Sequence, residues 1–134
     1  MSGERDLPRL LAQLSPQLAA SEYVFCTLPD AGYGEAQSLS PIAAVVEDEG
    51  LTLVVPRAEA DAQGCAYNGV FRCITLHVHS SLDAVGLTAA VAAALARREI
   101  PANVIAAYHH DHVFVPAAQA SDALVALTSL AARA

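Results

Sequence analysis

The chain has 134 residues, 54% of them hydrophobic and 16% charged, and a formal net charge of −7 with only seven Lys and Arg. That length suits one ordinary domain or two half-size lobes sharing a core. So little positive charge cannot neutralise a run of phosphates or hold an anionic membrane, which argues against nucleic acid and membrane as partners.

Asp6 ahead of Leu7-Pro8 can cap a first helix carrying Leu7, Leu10, Leu11 and Leu14 on one face, and Ser15-Pro16 ends it. Tyr23 to Leu28, aromatic and β-branched, predicts a strand, followed by a loop from Pro29 to Pro41 broken by Gly32 and Gly34. Ile42 to Val46 and Leu51 to Val55 predict a hairpin around Glu47-Asp48-Glu49-Gly50, and Pro56 opens a brief helix that Gly64 closes. From Phe71 to His79, Ile74, Leu76 and Val78 alternate with Cys73, Thr75, His77 and His79, the pattern of a strand with one core face and one semi-polar face. Asp83 is placed to cap a helix running to Arg98, with Leu87, Val91 and Leu95 at helical spacing and Arg97-Arg98 where positive charge suits the helix dipole. Pro101 stops it. Asn103 to Tyr108 and His112 to Val115 predict a second hairpin through His109-His110-Asp111, and Ala117 to Ala131 a last helix with Leu124, Leu127 and Leu130 on its apolar edge.

The order repeats. Leu51-Thr52-Leu53-Val54-Val55-Pro56 and Asp111-His112-Val113-Phe114-Val115-Pro116, about sixty residues apart, each set a β-rich run against a proline and an alanine-rich helical segment. The second half reads β-α-β-β-α and the first β-loop-β-β-α, so residues 1–68 form an N-terminal unit with a leading helix and a short or missing first helix, and residues 69–134 a C-terminal unit. One strand lent by a neighbouring unit completes a four-stranded antiparallel sheet with helices on one face, a ferredoxin-like α+β fold in tandem duplication.

Val85 to Ala96, the longest apolar stretch, is too short and interrupted to span a bilayer, and the opening Met1-Ser2-Gly3-Glu4-Arg5-Asp6 lacks the order of a secretion signal; a cytoplasmic location is expected. The apolar excess points to a homodimer. Cys26, Cys65 and Cys73 are odd in number and form no CxxC, so they read as buried thiols rather than a disulfide framework.

Over His79-Ser80-Ser81-Leu82-Asp83-Ala84-Val85-Gly86-Leu87, then Ile100-Pro101-Ala102-Asn103-Val104, then Tyr108 to Pro116, the sequence resembles the ACT-domain superfamily, and more narrowly small bacterial proteins of two tandem ACT-like units. The likeness runs from Tyr23 onward and is most specific over Phe71 to Pro116, where Gly86 matches a glycine of the first helical turn and Ile100 with Asn103-Val104 the entry to the second strand, two residues off the family's spacing. The resemblance implies a regulatory amino-acid-binding module without catalysis or cofactor, its units paired side by side, the strand at Phe71 to His79 able to serve both halves, and an unidentified protein partner reading the ligand state. It places the ligand at the turn after the first strand, which gives Ser80, Ser81, Asp83, Val85, Gly86, Asn103, His110 and Asp111 as candidate contacts.

The chemistry of those residues bears on the same point. Free backbone N–H groups near Asp83 to Gly86 favour an α-carboxylate, and Gly86 permits close approach. Asp83 or Asp111 can pair with an α-ammonium, and Asn103 offers both a donor and an acceptor. Each also has a purely structural reading: Asp83 as a helix cap, Gly86 as a packing glycine, Asn103 as a strand-entry turn residue.

All five histidines lie between His77 and His112, which makes a nickel- or zinc-responsive module, or a purely structural dimerisation domain, the alternative function. The HxH and HHDH runs lack the short-range Cys/His spacing of structural zinc sites, so no metal is expected. Cys73 with His77, or Ser80 with His79, lacks an orienting third group, and Gly32 and Gly34 are followed by no phosphate-loop lysine, so no catalysis is expected.

Overall fold

The computed structural model describes residues 6–79 and 84–134. Contacts divide the chain into two compact units: one comprises the chain up to Ala19 together with Arg72–Ala134, and the other is Ala20–Phe71.

In the first of these, helix α1 (Leu7–Ala12) starts where Asp6 accepts a hydrogen bond from Arg9 N at 3.2 Å, the capping that its position led us to expect. Strand β1 (Pro16–Leu28) begins seven residues earlier than the Tyr23 start expected from composition. Nothing in Gln17-Leu18-Ala19-Ala20-Ser21 favours a strand locally; tertiary bonds impose it. His77 N donates to Ser15 O at 3.3 Å, and the Arg72 guanidinium donates twice to Ala19 O, at 3.0 and 2.7 Å. The opening of β1 thus lies beside β4 (Phe71–Leu76), and the order continues β4–β6–β5 with β5 (Asn103–Ala106) and β6 (Asp111–Pro116) as an antiparallel hairpin. The strand expected to reach His79 ends at Leu76.

Helix α3 (Leu87–Ala96) begins at Leu87 with Gly86 as its N-cap, rather than at the expected Asp83, which lies outside the described residues. After Pro116 a 3-10 turn (Ala117–Gln119) leads into α4 (Ala120–Ala132). Helices α1, α3 and α4 pack on one another, and Leu10, Leu14, Ile74, Leu95, Val113 and Leu127 form the heart of their core. Alanines complete the buried edge of α4: Ala120, Ala123 and Ala126 are buried beside Leu127, whereas Leu124 and Leu130 are only partly so.

In the unit Ala20–Phe71, the strand order is β2–β3–β1, with β2 (Ala43–Glu47) and β3 (Gly50–Pro56) forming the expected hairpin. Its turn is tight: Gly50 has φ +142°, and a Cβ there would stand 2.7 Å from Pro29 Cα and 2.9 Å from Leu28 O. The loop Pro29 to Pro41 holds no α-helix, only a 3-10 turn at Gln37–Leu39, and α2 (Arg57–Ala62) follows β3. Val24, Cys26, Leu51, Leu53, Val55 and Ala60 make the core of this unit.

Candidate functional site

The segment between β4 and α3 carries most of the sequence-nominated residues. Beyond Leu76 the chain alternates an exposed His77, a buried Val78 and a half-buried His79 before Ser80, Ser81 and Asp83, which lie outside the described residues. After Ala84 come Val85, 83% exposed, and Gly86, whose φ of +99° is the left-handed region that a side chain avoids. A Cβ on Gly86 would also meet Leu7 Cδ2 at 3.1 Å, so glycine here serves both the backbone turn and the seat of α1. Ala90 N donates to Gly86 O at 2.9 Å, closing the first turn of α3 and leaving the N–H groups before it without intrahelical acceptors.

Facing β4 is the turn of the β5–β6 hairpin. Register sets it: Ala106 pairs with Asp111 and Ile105 with His112, so His109 and His110 fall in the connection. The His77 and His110 rings lie 4.9 Å apart between centres, those of His79 and His109 6.1 Å, and Tyr108 packs edge-on against His109 at 5.0 Å. His112 Nδ1 is 2.9 Å from Thr75 Oγ1. His110 Nδ1 is buried and has no hydrogen-bond partner among the described residues. Burial holds the Asp111 carboxyl above its ordinary range, while His112 and His110 pull it back down. Burial likewise lowers the pKa of His112, with His110 and then His77 adding to the effect and Asp111 opposing it. Among the described residues, no group of three or more His, Cys, Asp or Glu is arranged to hold a metal ion.

The nominated residues therefore fall in different places. His110 and Asp111 come together with His77 at one end of the hairpin, and Val85 and Gly86 stand at the start of α3. Asn103 pairs with Phe114, three residues along the ladder from the Ala106–Asp111 pair, a separation of about 10 Å at the rise of a strand. Its amide donates to Phe114 O at 3.4 Å, so the side chain spans the hairpin on which it sits.

A concavity elsewhere in the chain was not foreseen. In the unit Ala20–Phe71 a cavity of about 310 Å³ opens beside Tyr33, Gly34 and Gln37 of the loop, with Leu51 and Leu53 of β3 behind it. Its only trace in the sequence is the glycine-broken stretch where the first half lacks a helix counterpart.

The chain is thus an α+β protein of two small units, each with an antiparallel hairpin and a helix following it. Two family models described as ACT domain match stretches of the chain that overlap at their junction, residues 2–72 and 69–129, and the protein belongs to the ACT-domain family, with two tandem units in an α+β ferredoxin-like fold. Among solved structures it is similar to a Vibrio cholerae protein of unknown function, described as a possible transport protein, at 49% identity, covering 93% of this chain and 95% of that one with a TM-score of 0.85. It also shares its fold with an Agrobacterium tumefaciens protein (16% identity, TM-score 0.69, 87% of each chain). The ligand-free regulatory subunit of aspartate kinase from Thermus thermophilus is a further fold neighbour (12% identity, TM-score 0.58, 86% of this chain and 95% of that one). No curated protein matches the chain. Among the described residues no helix is long and apolar enough to cross a membrane.

Proposed function

We propose that the protein is a regulatory module that binds a free amino acid, carries out no catalysis, works as a homodimer in the cytoplasm and passes its ligand state to a partner protein. The observation that carries this reading is the start of α3: a glycine in the left-handed region, an exposed Val85 beside it, and a ten-residue helix whose first N–H groups lack intrahelical acceptors. Such a terminus favours an α-carboxylate. Ser80, Ser81 and Asp83 adjoin it in sequence, and Asp83 or Asp111 supplies the negative charge that an α-ammonium requires. Membership of the ACT family supports a regulatory small-molecule role, since both halves of the chain match it.

The test is a thermal-shift screen of chelator-treated protein against the twenty amino acids and a set of divalent metals. A ligand at 100 times its Kd adds about 2.7 kcal/mol, which moves Tm by several degrees in a chain of this size. One or two amino acids are expected to shift Tm, and Asp83→Ala is expected to remove the response. A shift with nickel or zinc alone would transfer the function to the histidines, and no shift with any compound would leave the dimerisation role standing in place of the sensor.

A further inference from the structure

The cavity in the Ala20–Phe71 unit differs in chemistry from the turn before α3. Leu51 and Leu53 form its floor, and Ala36, Ile42 and Ala44 its sides. No Asp, Glu, Lys or Arg lines it. Two polar side chains border it, Tyr33, which is 78% exposed, and Gln37, also exposed, so that the hydroxyl and the amide stand at its solvent rim.

The loop over this cavity is held in place from its other side. Leu39 is buried in the core, Ser38 Oγ donates to Gln63 Oε1 at 3.1 Å, and Gln63 Nε2 donates to Ser38 O at 2.9 Å. Past the loop, Ile42 N donates to Val54 O at 2.8 Å. The far side of the loop is tied down in this way, and the cavity is a concavity with Leu51 and Leu53 in its lining.

An apolar cavity of about 150 Å³ takes a benzene ring. At about 310 Å³ this one holds a body of up to two rings, or a branched aliphatic chain, with a short tail. A carboxylate or ammonium drawn into it would shed water without meeting an opposite charge. The net charge of −7 adds to the cost for an anion. A neutral amide or hydroxyl, in contrast, finds a donor and an acceptor in the Gln37 amide and a further hydroxyl in Tyr33.

We propose that this cavity is a binding site for an uncharged metabolite with an apolar body of one or two rings and an amide or hydroxyl tip. It lies in the Ala20–Phe71 unit and its lining selects against a zwitterion, so it stands or falls separately from amino-acid binding at the start of α3.

Titration of the ¹⁵N-labelled chain with indole-3-acetamide and, in parallel, indole-3-acetate tests this by amide chemical shifts. Saturable shifts are expected at residues 33–44 and 51–53, with the amide bound at least about tenfold more tightly than the acid, the worth of about one well-made polar contact. Ala44→Leu fills the cavity and is expected to remove those shifts while its spectrum stays dispersed. Should that variant fail to fold, Gln37→Leu at an exposed position decides: it is expected to weaken indole-3-acetamide and leave indole itself unaffected. The absence of saturable shifts in this segment, equal affinity for amide and acid, or unchanged binding in either variant would overturn the proposal.

Discussion

At the scale of single residues, His112 is where the histidine cluster becomes measurable. Its ring is half-buried, bonded to Thr75, and shares its surroundings with His77, His110 and Asp111. Because burial and the neighbouring imidazoles lower its folded pKa, the unfolded chain takes up a proton here more readily than the folded one. Its contribution to stability is therefore complete above the unfolded value of about 6.5, and is lost as pH falls through the lower folded value. The raised pKa of Asp111 acts with the opposite sign: the folded state holds that proton more tightly, so its contribution is present below the unfolded carboxyl range and fades as pH rises through the folded value. Tm is accordingly expected to fall between about pH 7.5 and about pH 5.5, the range that brackets imidazole titration. His112→Asn, which keeps a group able to bond Thr75 but cannot take up the proton, is expected to flatten that fall. Melts at a series of pH values check it, and an unchanged slope in the variant would remove the cluster from the account.

At the scale of elements, β1 shows what could and could not be read in advance. Val24, Phe25 and Thr27 announce a strand by composition alone, because side chains of that shape fit a pleated surface. Pro16 to Ser21 announce nothing, and the structure extends them because Arg72, more than fifty residues later in the chain, reaches back to Ala19 O. Arg72→Met keeps most of the stem and loses both bonds, and is expected to cost about 1.5–3 kcal/mol, the range for bonds to a charged donor. Urea unfolding measures this, and a loss under about 0.5 kcal/mol, the size of an ordinary surface change, would mean that the ladder alone holds the segment. The same division between local and distant causes runs through the candidate site. Gly86 stood out through its match to the ACT glycine of the first helical turn, and the histidines because they alternate. The meeting of His77 with His110 depends on strand register, and the cavity depends on how a loop with no repeating pattern folds over β3, neither of which periodicity reports.

At the scale of the whole molecule, one unit draws its core from two separated stretches of sequence. Leu10 and Leu14 are fully buried among residues of β4, α3, β6 and α4. Leu10→Ala is expected to cost about 2–5 kcal/mol, as for other leucines removed from a closed core. The loss should register as faster hydrogen exchange across α3 and α4 as well as α1, since the three helices share that core. Exchange that quickened only within α1 would show that helix to be an accessory to the unit instead of a part of it.

The division at Ala19 and Arg72 also fixes an order of events during synthesis. The segment holding Leu10 emerges from the ribosome ahead of everything it packs against, and it waits through all of Ala20–Phe71 and then through α3 and β6 before Leu127 is made. The intervening unit has its strands β1, β2 and β3 contiguous in the chain and can close while the ribosome is still working. For that interval the apolar face of α1 has no native surface to cover it, and its burial waits on helices made after it.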